Sequence, residues 1–301
     1  AFTASATNAV TYEYDYGNGV FATVPSGVVT YKYPASGTYT VNVIAKSSGG
    51  QTISKSISVT VTVAMSLIFS DEFDTPGAPD PARWGYDLGA GGWGNNEVQY
   101  YTNRLDNAVV SNGTLKIILK KENFSGSAYT SARILSRNKF SFKYGKVECR
   151  AKLPAGGGTW PAIWMLGDNI GTAGWPACGE IDIMEEVGYK PNYVSSTIHC
   201  TSYNHILGTQ KTAEKLIETA QSEYHVYALE WTSTYIKTYV DGNLLFTFMN
   251  DGKGDKSTWP FNAEFYLKLN LAWGGNWGGA QGVDEKALPA TFEIDYVRVF
   301  Q

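Results

Sequence analysis

Apolar and polar residues alternate with a period of two along much of the chain. The pattern is plain in Thr38-Tyr39-Thr40-Val41-Asn42-Val43-Ile44 and again in Ser56-Ile57-Ser58-Val59-Thr60-Val61-Thr62-Val63. Successive side chains of a strand point to opposite faces, so this period predicts strands with one buried face. Gly49-Gly50 lies between the two runs, where a hairpin turn belongs. Similar strand signals cover residues 115–121, 146–153, 181–186, 194–199, 225–231, 235–240, 244–248, 265–271 and 292–300. Asp241-Gly242 stands between two of these and predicts a two-residue hairpin with both residues at positive φ. A helical period is nearly absent, and residues 212–221 are the one stretch expected to form a turn or two of helix.

These elements predict an all-β chain in two parts. Residues 1–64 are rich in Thr, Val, Ser and Tyr and hold neither Trp nor Cys. They predict a small β-sandwich. Residues 65–301 hold all 9 Trp, and their many short strands predict one large antiparallel sandwich.

Composition narrows the function classes. Only 17% of the 301 residues are charged, while Tyr (20), Trp (9) and Gly (32) are abundant. Aromatic residues suit pleated sheets, glycine suits tight turns, and a flat ring can stack on the apolar face of a sugar. The net charge is −4 with no basic stripe, which speaks against nucleic acid as a partner. No run of 18 apolar residues is present, so no membrane-spanning segment is expected. Cys149, Cys178 and Cys200 are an odd set without zinc-site spacing and are read as buried thiols. The chain opens at Ala1 rather than Met, as it would after loss of a leader or trimming.

Gly179-Glu180-Ile181-Asp182-Ile183-Met184-Glu185-Glu186-Val187-Gly188 carries the chemistry. Along a strand, Glu180 and Asp182 share one face while Ile181 and Ile183 take the other. Strict alternation would put Glu185 with the isoleucines. A one-residue bulge within Ile183-Met184 returns it to the acid face. Glu180 and Glu185 would then be about four strand steps apart, roughly 13 Å between Cα atoms at about 3.3 Å per step. Side chains leaning together by about 4 Å each would leave the carboxyl groups roughly 5 Å apart, the separation of a retaining glycosidase. Two such groups cannot both ionise easily, and Asp182 lies between them to tune the pair. A solvated acidic strand is the plainer alternative, but the flanking Ile and Met bury one face and make three idle acids costly on the other.

The same stretch resembles the signature of glycoside hydrolase family 16 in its bulged form, Glu-x-Asp-x-x-Glu. Trp93-Gly94-Asn95-Asn96-Glu97-Val98-Gln99-Tyr100-Tyr101-Thr102 resembles its laminarinase-type members, the endo-1,3-β-glucanases. Phe69-Ser70-Asp71-Glu72-Phe73-Asp74, Tyr144-Gly145-Lys146-Val147-Glu148-Cys149-Arg150 with Gly158-Thr159-Trp160-Pro161-Ala162-Ile163-Trp164, and Ile294-Asp295-Tyr296-Val297-Arg298-Val299 are similar to its opening, middle and closing segments. The resemblance covers essentially all of residues 65–301. It implies a curved, concanavalin A-like β-jelly-roll sandwich with a cleft on the concave sheet. Glu180 would be the nucleophile, Glu185 the general acid/base and Asp182 their helper, with no cofactor in the reaction.

Trp160 and Trp175 would be sugar platforms, and Asn95, Asn96, Glu97, Arg133 and His199 polar contacts near the cleft. His199, read from its strand alone, is a packing residue. Trp93, Trp273 and Trp277 sit in or beside Gly-rich loops that carry either cleft or surface aromatics. A structural Ca²⁺ on the convex side would be held by Glu72, the Gly113 carbonyl and Asp295, the hard oxygen donors such an ion prefers. The implied substrate is β-1,3-glucan or mixed-linkage β-1,3/1,4-glucan. The expected setting is extracellular, cell-surface or periplasmic, with the chain acting as a monomer. A non-catalytic glucan-binding protein and a transglycosylase on the same fold are the alternatives.

Residues 1–64 resemble a PKD-type module, an immunoglobulin-like β-sandwich. The resemblance rests on Tyr12-Glu13-Tyr14-Asp15-Tyr16-Gly17-Asn18-Gly19 and Tyr31-Lys32-Tyr33-Pro34-Ala35-Ser36-Gly37-Thr38-Tyr39-Thr40-Val41. Tyr16 and Asn18 depart from that family's turn, and a first strand is expected to be missing. A spacer or carbohydrate-associated role is implied.

Overall fold

Inward-facing tyrosines at alternate positions build the first of two cores. Tyr12 and Tyr14 of the Ala9–Asp15 strand, together with Tyr16 and Tyr33, are buried beside Val41 and Ala45. The Tyr16 ring stacks on Tyr31 at 4.0 Å between centroids, which accounts for the aromatic residue at a turn position where glycine was expected. The computed structural model describes residues 1–33 and 36–301, so Pro34 and Ala35 of the Tyr31–Val41 segment lie outside the described residues. Two compact units result, Ala1–Met65 and Ser66–Gln301.

In the first unit, Phe21–Val24, Ala9–Asp15, Gly37–Ser47 and Thr52–Val61 form a four-stranded antiparallel sheet, and Phe2–Thr3 pairs with Val28–Val29. The Gly49-Gly50 hairpin joins Gly37–Ser47 to Thr52–Val61, with Gly50 at φ 80°.

The second unit is a sandwich of two sheets. Among the described residues, one has seven strands in the order Lys211–Leu216, Tyr193–His199, Glu180–Glu185, Thr159–Gly167, Phe265–Trp273, Arg133–Leu135, Gly85–Asp87, all antiparallel. The other has ten, centred on Gly145–Lys152 and Ala290–Phe300. Ile163, Met165, Ile181, Leu267, Leu269 and Leu271 from the first sheet meet Leu115, Ile117, Val147, Leu229, Trp231, Phe292 and Val299 from the second. Each such burial stabilises the fold by about 1.5–3 kcal/mol. The predicted strands are found within a few residues of their expected limits. Asp241 (φ 49°) and Gly242 (φ 76°) form the expected hairpin turn. All three cysteines are buried free thiols.

One expected element is corrected. Residues 212–221 contain no helix; Lys211–Leu216 is an edge strand paired with Tyr193–His199 over six rungs. Ala, Glu, Lys and Leu favour a helix in isolation, but cross-strand pairing overrides that weak preference.

Glu186 lies next to the carboxylate strand and is fully buried away from water. Its Oε1 accepts hydrogen bonds from the Asn192 backbone N–H at 2.6 Å and Gln221 Nε2 at 2.9 Å, while Oε2 lacks a partner. Burial pushes its carboxyl up to about 8 from 4.5. The folded state therefore holds a proton that the unfolded state has lost, and stability falls as pH rises through that interval. Glu186→Gln should flatten this decline and melt higher than the parent near pH 8. Parallel melting curves for the two proteins from pH 5 to pH 8 would contradict it.

Candidate active site

The Glu180–Glu185 strand is irregular at the position its sequence requires. Against Thr159–Gly167, Asp182 pairs with Trp164 and Met184 with Ile163, so Ile183 is surplus. Against Tyr193–His199, Asp182 pairs with Thr197 and Glu185 with Ser195, with the same register shift. Ile181, Ile183 and Met184 all enter the core between the sheets. Glu180, Asp182 and Glu185 all line the cleft on the opposite face. The extra residue reverses the alternation once, as a β-bulge does.

Register places the acids on three rungs that cross the sheet. Glu185 stands between Ser195 and Ala162, in a row that continues through Asn270 and Arg133 to Asp87. Asp182 stands between Thr197 and Trp164, followed by Lys268. Glu180 stands between His199 and Leu166. Each outer acid receives an indole N–H, from Trp175 to Glu180 at 3.1 Å and from Trp160 to Glu185 at 3.0 Å. His199 Nε2 lies 3.4 Å from Asp182 and 3.7 Å from Glu180. Glu180, Asp182 and His199 offer donor atoms within 4.8 Å of one another, close enough for a metal ion.

Burial dominates the titration of all three acids. It pushes Glu180 up to about 7, aided by the charge of Asp182 and opposed by His199, Lys268 and the Trp175 N–H. It also raises Asp182. Glu185 lies well above the ordinary carboxylate range through burial and then the charge of Asp182. A site of this kind can present one ionised and one protonated carboxyl group to the same bond.

The cleft has a volume of about 820 Å³. Trp93, Asn95, Glu97, Arg133, Trp160, Trp175, His199 and Trp277 all line it. Asn96 does not; it is exposed at φ 55° and donates to Asn276 Oδ1 at 2.8 Å, and Asn276 lines the cleft in its place. Trp273 is fully buried in the core, because odd-numbered positions of its strand face inward. Glu97 is held by Gln99 and Tyr101, and Arg133 is packed over the rings of Trp93 and Tyr101.

Trp164, Lys268, Asn270, His205 and Thr212 also line the cleft and were not anticipated there. Trp164 lies four residues beyond Trp160 on one strand, an even spacing that puts both on one face. Lys268 and Asn270 interrupt an otherwise apolar strand, and that interruption was the available signal. Lys268 is buried, with Nζ 2.9 Å from Asp87 and 4.4 Å from the centre of the Trp164 ring. Burial brings its ammonium down to about 8.

The three expected calcium positions converge on one part of the closing strand. Asp71 opposes Val297 and Leu115 opposes Ile294, which places Glu72, Gly113 and Asp295 close along Ala290–Phe300. The donors suit a hard cation. Both carboxylates have cationic partners already, since Arg298 bonds Glu72 at 2.9 and 2.7 Å and Arg150 bonds Asp295. Asp71, Glu72, Asp74 and Asp80 line a hollow beside them.

Comparison with known proteins bears on the cleft unit. The family model for glycosyl hydrolases family 16 matches residues 95–298. A β-glucanase of Rhodothermus marinus is 51% identical over 242 residues, which are 78% of this chain and 85% of that protein. The X-ray structure of a laminarinase from Rhodothermus marinus superposes with a TM-score of 0.77 at 50% identity, covering 79% of this chain and 98% of that one. A laminarinase structure from Flavobacterium sp. UMI-01 gives 0.73 at 42% identity, covering 78% and 100% respectively.

Proposed function

The chain belongs to glycosyl hydrolases family 16, and from that premise we propose that Glu180, Asp182 and Glu185 cleave internal β-1,3 linkages of a glucan with retention of configuration. The protein is a glycoside hydrolase, and its relatives are a β-glucanase and laminarinases. The observation that carries the residue assignment is the bulge at Ile183, which puts three acids on one cleft face.

Roles follow from environment. Glu180 has the most support for a negative charge, from the Trp175 N–H, His199 and Lys268, and attacks the anomeric carbon. Burial holds Glu185 well above the ordinary carboxylate range, so it carries the proton that goes to the leaving oxygen, with Trp160 N–H fixing the carboxyl group. Glu185 then takes a proton from the water that releases the sugar from Glu180. Asp182, between them and beside His199, is raised by burial and tunes the charge of its neighbours. Trp160 and Trp175 serve as sugar platforms, with Trp93 and Trp277 beside them. Asn95, Glu97, Arg133 and His199 supply polar contacts, and Asn96 acts through Asn276. β-1,3-Glucan is the leading substrate, supported by the laminarinase relatives, and mixed-linkage β-1,3/1,4-glucan is the second.

Three further readings accompany this. The first unit is a PKD-like, immunoglobulin-like spacer or carbohydrate-associated module, supported by its alternating strands and tyrosine core. A polymeric substrate places the enzyme outside the cell, at its surface or in the periplasm, and the protein acts as a monomer. A structural Ca²⁺ sits at Glu72, Gly113 and Asp295, competing with Arg298 and Arg150 for the two carboxylates.

Glu180→Ser should reduce release of reducing ends from laminarin by several orders of magnitude while oligosaccharide binding persists. Near-parental hydrolysis would remove Glu180 from its role. For the ion, a chelator should lower the melting temperature and added Ca²⁺ restore it. An unchanged melting curve together with no metal by elemental analysis would rule the calcium site out.

A further inference from the structure

A β-bulge takes one residue out of the ladder and leaves its backbone groups to find other partners. Ile183 has no register partner on either neighbouring strand. Its carbonyl accepts a buried side-chain hydrogen bond instead. The Ser196 hydroxyl donates to that carbonyl at 2.7 Å. Ser196 sits between Ser195 and Thr197, whose side chains line the cleft, so its own side chain points the opposite way and is fully buried. A carbonyl can only accept, which commits the Ser196 proton and leaves its oxygen to accept a bond in turn. That bond comes from Thr238, 2.8 Å away and equally buried. Thr238 belongs to Tyr235–Val240 of the opposite sheet.

We propose that the Thr238–Ser196–Ile183 hydrogen-bond chain, reaching from the convex sheet through the core to the bulge, is a positioning device for the general acid/base Glu185. Neither hydroxyl touches substrate. They fix the one backbone segment whose irregularity decides where Glu185 points. Beyond the bulge Glu185 rejoins the ladder between Ala162 and Ser195, its carbonyl accepts from the Ser195 hydroxyl at 3.4 Å and its side chain from the Trp160 N–H, while the next ladder bond, Glu186 N–H to the Pro161 carbonyl, is long at 3.4 Å. Glu180 is anchored separately through Trp175 and pairs normally with Leu166 and His199. Loss of the hydroxyl chain should therefore impair proton donation more than nucleophilic attack. An apolar residue at 196 would still fill the space, so the polar chain marks the bulge, not the volume of the core.

This inference rests on Glu185 as the acid/base, and the test separates the two ideas. Burst-phase and steady-state rates are compared on a laminari-oligosaccharide, whose leaving sugar needs a proton, and on a dinitrophenyl β-laminarioligoside, whose leaving group does not. Glu185→Gln is the reference and should lose the oligosaccharide reaction while keeping the dinitrophenolate burst. Ser196→Ala should show the same selectivity in weaker form, with a tenfold or greater fall in kcat on the oligosaccharide, little change in KM and a near-parental burst. Thr238→Val should follow it, and Thr238→Ser, which keeps the hydroxyl, should recover most of the rate. If Glu185→Gln fails to distinguish the leaving groups, the acid assignment is wrong and the proposal goes with it. If Glu185→Gln distinguishes them but Ser196→Ala and Thr238→Val lower both rates equally, or lower only the melting temperature, the positioning role is overturned.

Discussion

One surplus residue in one strand governs this molecule's chemistry. Side chains on a regular strand alternate without exception, so a row of acids spaced two apart cannot also include Glu185. Counting Ile183 out of the ladder restores the parity. The core gains Ile183 and Met184 side by side, and the cleft gains a third carboxyl group. A slip of one residue elsewhere would turn every side chain of the strand over. The bulge confines the change to the residues beyond it.

The sandwich makes that geometry useful. Its core holds the carboxylate strand flat against the opposite sheet, while the cleft face keeps the acids poorly solvated. Low solvation separates acids by what surrounds them. Glu180 has Lys268, His199 and an indole N–H working against burial and the charge of Asp182, and its carboxyl rises to about 7. Glu185 lacks the lysine, has both other acids as neighbours, and is held well above the ordinary carboxylate range despite the Trp160 N–H and His199. The difference in neighbours, set by register across the sheet, is what the proposed nucleophile and acid require of one residue type.

Much of this was legible in the sequence because the governing patterns are local. Strand period, the Asp241-Gly242 turn and the parity argument at Ile183-Met184 each involve a handful of adjacent residues. Edge pairing is not local, and residues 212–221 misled for that reason: Lys211–Leu216 is a strand because Tyr193–His199 lies beside it. Lys268 and Asp87 illustrate the same limit. They lie far apart in sequence and meet because Gly85–Asp87, Arg133–Leu135 and Phe265–Trp273 are neighbours in the sheet. Asn96 was placed by likeness of segment and Trp273 left open between cleft and surface, whereas turn geometry and strand parity decide where each side chain points. Ser196 and Thr238 gave no signal, since a buried hydroxyl is unremarkable until its partner carbonyl is known to belong to the bulge.

Retention requires two carboxyl groups close enough for direct attack on the sugar and too close to admit a water between them. The anomeric form of the first product reports that spacing. Proton NMR of a laminari-oligosaccharide digest, recorded before mutarotation, should show the new reducing end appearing as the β-anomer. An α-anomer appearing first would mean inversion, a wider separation of Glu180 and Glu185, and a different reaction.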